Sequence, residues 1–151
     1  MKHYLGIDLG TSSIKVSLAD ENGTIIDSES RSYPLLLPKL NWSEQNPDDW
    51  YNGMIEALKT LHIRNDLSSV ASLSFSGQMH GLVLLDKYDQ VIRPALLWND
   101  SRTVEEVDYL NNVIGEDTLL KETSNIALCG FTAPKILWVK KHEEDNFNRI
   151  S

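Results

Sequence analysis

Within its first thirty residues the chain alternates apolar runs with tight turns in a pattern that suits a small antiparallel sheet. Residues 4–9 are mainly apolar and end at Gly10-Thr11-Ser12, and residues 13–19 return with Ile14, Val16 and Leu18 alternating against Ser13, Lys15 and Ser17. That two-residue period is the mark of a half-buried strand. Asn22-Gly23 then supplies the positive-φ pair favoured in a two-residue hairpin loop, and residues 24–30 read as a third strand. Three antiparallel strands are expected to open the protein.

Pro34 and Pro38 break the chain into a loop that runs to Asn46-Pro47-Asp48-Asp49, which has a capping side chain, proline at the first helical position and acids in the first turn. The helix starting there carries Tyr51, Met54, Ile55, Leu58 and Leu61 at helical spacing, a face able to cover the sheet. Residues 68–76 read as a strand with Ala71, Leu73 and Phe75 on one side and small serines on the other, and it runs into Ser76-Gly77-Gln78-Met79-His80-Gly81. A second hairpin is expected from residues 82–85 and 91–92, and a short strand over 95–98. A helix from Arg102 should turn Val104, Val107, Leu110 and Ile114 inward, with Thr103 and Glu106 as a capping box and Gly115 as its end. A last helix begins near Thr132 with Pro134 in its first turn and Lys140, Lys141 and His142 near its final carbonyls.

Charge and cysteine content exclude several function classes. Fourteen basic side chains against 22 acidic ones give a net charge of -8, which repels phosphodiester backbones and anionic lipid. No basic patch interleaved with aromatics relieves that, so nucleic acid is not an expected partner. Cys129 is the single cysteine, which forbids an internal disulfide framework and fits a reducing, cytoplasmic setting. An acid at Asp8 arrives too early for a signal-peptide core, and no apolar run reaches membrane-span length.

Two segments offer chemistry at strand ends. In Asp8-Leu9-Gly10-Thr11-Ser12-Ser13 a carboxylate closes a strand read as buried, and a glycine turn follows whose N–H groups and hydroxyls can face one anion. A hydrated Mg²⁺ bridging to nucleotide phosphates would balance that carboxylate, and a plain β-turn with a solvated Asp8 is the other reading. Gln78, Met79 and His80 lie between two glycines at the end of an inner strand, where open α/β sheets place ligand contacts. Gln78 and His80 can donate or accept, and Met79 offers a pliable apolar wall, so the trio suits a polyol. A histidine of purely structural role is the competing reading.

Three further segments carry weaker signals. After the short strand, Trp98 can cover a sugar face and Asp100 can accept from hydroxyls; an ordinary helix entry, with Trp98 in the core, reads equally well. Trp42-Ser43-Glu44-Gln45 suggests no chemistry from its spacing, and Gly130 to Lys135 explains itself as a helix entry with Phe131 as a hydrophobic staple. The four histidines are too dispersed for a metal site, and no Walker-type loop is present.

Taken together, five ordered segments resemble the FGGY family of ATP-dependent sugar kinases, and among them its ketopentose kinases: residues 4–12, Trp42-Ser43-Glu44-Gln45, Ser76 to Gly81, Leu97 to Thr103, and Gly130 to Lys135. The resemblance implies an α/β, ribonuclease H-like (actin/Hsp70-type ATPase) fold. Residues 1–151 would form an incomplete first lobe, with an antiparallel three-strand start followed by a parallel strand and helices; the carboxyl part of that lobe and the whole second lobe would be absent. It implies ATP and Mg²⁺ as cofactors, with Asp8 near the metal and phosphates and Gly10, Thr11, Ser12 and Ser13 lining the phosphate end. Gln78, Met79, His80, Trp98 and Asp100 would form the sugar-binding set. The implied reaction is γ-phosphoryl transfer to the terminal hydroxyl of D-xylulose, giving D-xylulose 5-phosphate.

No glycine-rich segment carrying the family's catalytic-base aspartate occurs in the sequence, so the isolated chain is expected to be inactive. The same gap is expected to leave residues 70–75 as an open strand edge, which the chain is expected to bury by self-association or local rearrangement. Other readings are a kinase for glycerol, ribulose or another polyol or ketose, a non-catalytic sugar-binding module, and an actin/Hsp70-type ATPase lobe sharing only the first phosphate hairpin.

Overall fold

The opening meander forms as expected. In the computed structural model of the protein, which describes residues 2–151, β1 (His3–Leu9), β2 (Ser13–Ala19) and β3 (Ile25–Ser32) pair antiparallel through the turns at Gly10 and Gly23. The chain divides into two compact units, one made of the residues up to Pro34 with Asp48–Gln78, the other of Leu35–Pro47 with Met79–Ser151.

In the first unit, Ile7 stands opposite Val16 on β2, and Leu5, Ile7, Ile14, Val16 and Leu18 form one buried face. A helix, α1, of residues Pro47–Arg64 covers that face with Asp48 and Asp49 in its first turn. The face it buries is only partly the expected one, since Met54, Leu58 and Leu61 lie on it and Tyr51 does not. Gly53, Ala57 and Leu61 are buried, with Trp50, Met54 and Leu58 beside them, whereas Tyr51 points to solvent. A Cβ on Gly53 would stand 3.3 Å from the Ile14 side chain, so the small residues let the helix axis approach the sheet and thereby select the buried face.

Two further strands, β4 (Glu44–Gln45) and β5 (Val70–Gly77), precede residue 80, and β5 completes the four-stranded sheet in the order β3-β2-β1-β5. It lies parallel to β1, with Leu73 opposite Leu5 and Phe75 opposite Ile7. It is an edge strand, as expected. Leu73 is 53 % exposed and Phe75 65 %, so neither shares the burial of its partner on β1. The alternate face carries Ser72, Ser74 and Ser76, also exposed.

The second unit departs further from expectation. The strand expected over 95–98 shrinks to β6 (Ala95–Leu96), and it pairs antiparallel with β4. The expected second hairpin reduces to isolated bridges, Leu85 to Val91 and Leu82 to Leu96. Its turn is held by the Asp86 carboxylate, which accepts from the Tyr88 and Gln90 amides at 2.9 and 3.0 Å. These side-chain bonds close the turn beside a short backbone ladder, Asp86 N–H to the Gln90 carbonyl at 3.0 Å and Ile92 N–H to the Leu84 carbonyl at 2.9 Å.

After Asp100 come α2 (Val104–Asp108), a π-helical stretch (Tyr109–Gly115), α3 (Glu116–Thr123), α4 (Thr132–His142) and α5 (Glu144–Phe147). Gly115, at φ 97°, ends the helical run that begins with α2, as expected, and α3 starts at the next residue. The expected capping box is absent. The Thr103 hydroxyl donates instead to the Cys129 carbonyl at 3.4 Å, and Thr103 and Glu106 are the buried residues here, while Val104 and Ile114 face solvent. Leu82, Leu84, Leu96, Trp138 and Val139 form the core of this unit, with Trp42, Ile92, Phe147 and Ile150 packed against it. No helix among the described residues is long and apolar enough to cross a membrane.

Candidate functional site

Three separate segments of the second unit meet around His80. The loop is stitched to β6 by a reciprocal pair of bonds, Leu82 N–H to the Leu96 carbonyl at 2.8 Å and Leu96 N–H to the Leu82 carbonyl at 3.1 Å. His80 adopts a left-handed backbone with φ 65°, an uncommon conformation for a residue with a side chain and one that clusters at functional sites. Its imidazole is exposed and lies 4.6 Å, centroid to centroid, from the Phe131 ring. Its carbonyl turns inward, where it accepts from Lys135 Nζ at 3.0 Å and from the Thr132 hydroxyl at 3.3 Å.

Lys135 also donates to the Gly130 carbonyl. Gly130 in turn abuts the third segment, since a Cβ built there would stand 2.9 Å from the Trp98 carbonyl oxygen. The chain around 130 therefore needs glycine for close backbone approach. Beside His80 and Phe131 opens a hollow of about 330 Å³ whose other walls include Leu110, Leu119, Ile126 and Pro134.

Lys135 is 0 % exposed, and burial pushes its ammonium down to about 8, with the Asp100 carboxylate opposing the shift. Because the unfolded chain holds that proton up to its ordinary value of 10.5, the charged amine costs stability below about pH 8 and the cost is relieved between there and 10.5. In urea titrations, wild type is accordingly expected to gain on Lys135→Met across that window by up to about 3 kcal/mol. A difference that stays flat from pH 7 to 10.5 would contradict it.

Asp100 is the anionic centre of the same unit. Its buried carboxylate accepts from the Ser43 amide at 2.7 Å, from the Arg102 amide at 3.0 Å and from Arg102 Nη2 at 2.7 Å. Arg102 also reaches Glu44 at 2.7 Å; Arg93 bridges Glu44 at 2.5 Å and Glu143 at 2.8 Å. The Arg102 guanidinium is held between two indoles, 3.7 Å from the Trp42 centroid and 4.8 Å from that of Trp138, which offer π-faces in place of water. The structure therefore places Asp100 facing Arg102 and Ser43 in the interior, with its oxygens already engaged. Trp98, by contrast, is 49 % exposed and Met79 68 %, so Trp98 is not the core residue that one reading of its segment foresaw.

The remaining sequence-derived residues lie in the first unit. Gln78 extends the parallel pairing, its amide donating to the Leu9 carbonyl at 2.8 Å. Asp8, one residue before the end of β1, lies on the open face of the sheet and is exposed, so the strand read as buried is buried on one side alone: α1 covers only the face that Leu5 and Ile7 share. The turn after it is pinned by Gly10 N–H to the Ser13 carbonyl at 3.0 Å, by Tyr33 N–H to the Ser12 carbonyl at 3.4 Å, and by the Tyr33 hydroxyl, which donates to the Gly10 carbonyl. Burial, then the nearby Asp8 charge, pushes the Tyr33 phenol up to about 12, keeping it a donor. Thr11 and Ser12 occupy the turn between these bonds. No group of three metal-ligating side chains occurs among the described residues. A lone exposed carboxylate fits Mg²⁺, which keeps most of its waters and shares phosphate oxygens, better than a metal needing a protein cage.

Sequence reasoning missed Lys135, Thr132, Phe131 and Arg102. A signal for the first was present. A lysine in the first turn of a helix opposes the helix dipole, so its occurrence in Thr132-Ala133-Pro134-Lys135 marks a cation with specific partners.

A mixed sheet with three antiparallel strands, a parallel fourth and a covering helix belongs to an α/β domain of the actin-like ATPase type. Residues 3–151 match the model of the FGGY family of carbohydrate kinases, N-terminal domain, and the chain belongs to that family. It is 47 % identical over 153 residues to the xylulose kinase of Bacillus subtilis, covering 100 % of this chain and 30 % of the relative. With the xylulose kinase of Staphylococcus xylosus it shares 44 % over 153 residues, covering 99 % and 31 %. The solved xylulose kinase of Rhodospirillum rubrum superposes with a TM-score of 0.93 at 26 % identity, over 99 % of this chain and 31 % of that one. The chain thus spans about a third of the length of the relatives it matches.

Proposed function

We propose that this chain supplies the sugar-contacting part of an ATP- and Mg²⁺-dependent kinase that phosphorylates D-xylulose to D-xylulose 5-phosphate. The observation that carries the reading is the His80 loop: an imidazole held outward on a left-handed backbone, with exposed Met79 before it and Trp98 close to the Gly130 turn. Met79 and Trp98 offer apolar faces to the sugar carbons, and His80 offers a hydrogen bond to a hydroxyl. Gln78 joins that set as a second polar contact, while Asp100 serves it by fixing Arg102 and the Ser43 amide. Asp8, Gly10, Thr11, Ser12 and Ser13 take the phosphate end, where the chemistry supplied by Mg²⁺ is neutralisation of the transferred phosphoryl group.

Calorimetric titration of the chain with D-xylulose, D-ribulose, glycerol and gluconate tests this. D-xylulose is expected to bind most tightly, and His80→Ala to weaken it by about ten- to a hundredfold, the worth of one good polar contact. Equal binding of glycerol, or an unchanged affinity in the variant, would point to another polyol or another site.

The open edge of β5 adds a further expectation, that copies of the chain pair through it and the scattering mass rises with concentration. A monomer mass at every concentration, with free amide exchange over Val70–Gly77, would leave the edge unpaired and refute self-association.

A further inference from the structure

Lys135 lies outside every role set out for the sugar site, yet its amine joins two of the site's segments. We infer that Lys135 is a positioning residue for sugar recognition, holding His80 in its left-handed conformation by gripping the His80 and Gly130 carbonyls together. This rests on the proposed role of His80 in binding the sugar.

Among the described residues Lys135 is the one lysine in the buried set, and a buried ammonium is costly unless it is hydrogen-bonded and balanced. It is hydrogen-bonded to the two loop carbonyls, and the Asp100 charge offsets part of its burial cost, with Arg102 acting in the opposite sense. Nearby, Arg93 and Arg102 pair with the carboxylates of Glu44, Asp100 and Glu143.

The acceptors are what separate positioning from simple packing. With φ at 65°, the His80 carbonyl points inward to Lys135 and Thr132 while the imidazole rests against Phe131. Without the ammonium that carbonyl is left with a 3.3 Å hydroxyl bond alone. The backbone then gains by turning the carbonyl toward water and leaving the left-handed region, which swings the imidazole off Phe131. Gly130 loses its tether at the same moment, and with it the approach to Trp98.

A double-mutant cycle on the chain, read as D-xylulose affinity, tests the inference. Lys135→Met is expected to weaken binding by at least about tenfold, and Lys135→Met with His80→Ala to bind no worse than His80→Ala alone, because the lysine acts through His80. Losses that multiply, or a Lys135→Met variant that binds as wild type does, would overturn it. Two measurements do not depend on that variant folding. A scalar coupling across the hydrogen bond from Lys135 Nζ to the His80 and Gly130 carbonyls is expected in the wild-type spectrum, and its absence at both would overturn the inference. Thr132→Val, which removes the weaker bond and leaves the Lys135 grip in place, is expected to keep the His80 amide–Hα coupling at its wild-type value, and a coupling that moves to an ordinary backbone value counts against the inference. If wild type binds no D-xylulose while the coupling is present, the sugar reading fails and the grip of Lys135 on His80 stands.

Discussion

Replacing Asp100 with alanine is expected to destabilise the second unit by about 3–5 kcal/mol, the usual cost of removing one partner from a buried ion pair. Nothing nearby can take over its work. Glu44 is already shared between Arg93 and Arg102, the Ser43 and Arg102 amides lose their acceptor, and Lys135 loses its balancing charge. Asp100→Asn keeps an acceptor but not the charge, so its cost should be smaller. Trp42 and Trp138 flank Arg102, so their fluorescence in a urea titration reports the event directly. A midpoint within experimental error of wild type in Asp100→Ala would mean that the carboxylate is not the organising charge of this unit.

Gly130→Ala is expected to have the next largest effect, about 1–3 kcal/mol with a parallel loss of sugar affinity. The added methyl would stand 2.9 Å from the Trp98 backbone oxygen, and backbone cannot rotate aside as a flexible side chain can. Either the Trp98 segment or the 130 turn must move, and the turn carries a carbonyl that Lys135 holds. Gly81→Ala is the control: its Cβ would lie 3.6 Å from the Leu96 carbonyl, an ordinary contact. If both variants behave alike in thermal melts, close approach at Gly130 is not what the site requires.

The parts of the fold that were legible in the sequence are those set by neighbours along the chain. The strands β1 to β3 are joined by turns of a few residues, so alternation and an Asn22-Gly23 loop suffice to place them. The start of α1 is written in Pro47, Asp48 and Asp49. Helical spacing puts Met54, Leu58 and Leu61 correctly on its buried face, but a count of large apolar residues overlooks Gly53 and Ala57, whose smallness does the selecting. The pairing of β4 with β6 joins segments about fifty positions apart through two residues each, too short a pattern for any period to reveal.

The candidate site divides in the same way. Met79 and His80 stood out because they lie between two glycines at a strand end, and Trp98 because it closes a short apolar run beside polar residues. Lys135, Arg102 and the interior location of Asp100 did not, because charged side chains are ordinarily surface residues. Their burial is a product of mutual pairing across segments that sequence spacing does not connect. Thr103 and Glu106 show the converse: a capping-box spacing was present, but the hydroxyl found a better acceptor in Cys129.

The most direct test is the footprint of D-xylulose on the chain, read from ¹H–¹⁵N and methyl NMR spectra during titration. Saturable shifts at the Met79 methyl, the His80 imidazole and the Trp98 indole are expected, with Glu105, Tyr109 and Lys141, which line a separate hollow, unmoved. Shifts confined to that other hollow, or none at Met79, His80 and Trp98 with sugar in large excess, would contradict a sugar site built on the His80 loop.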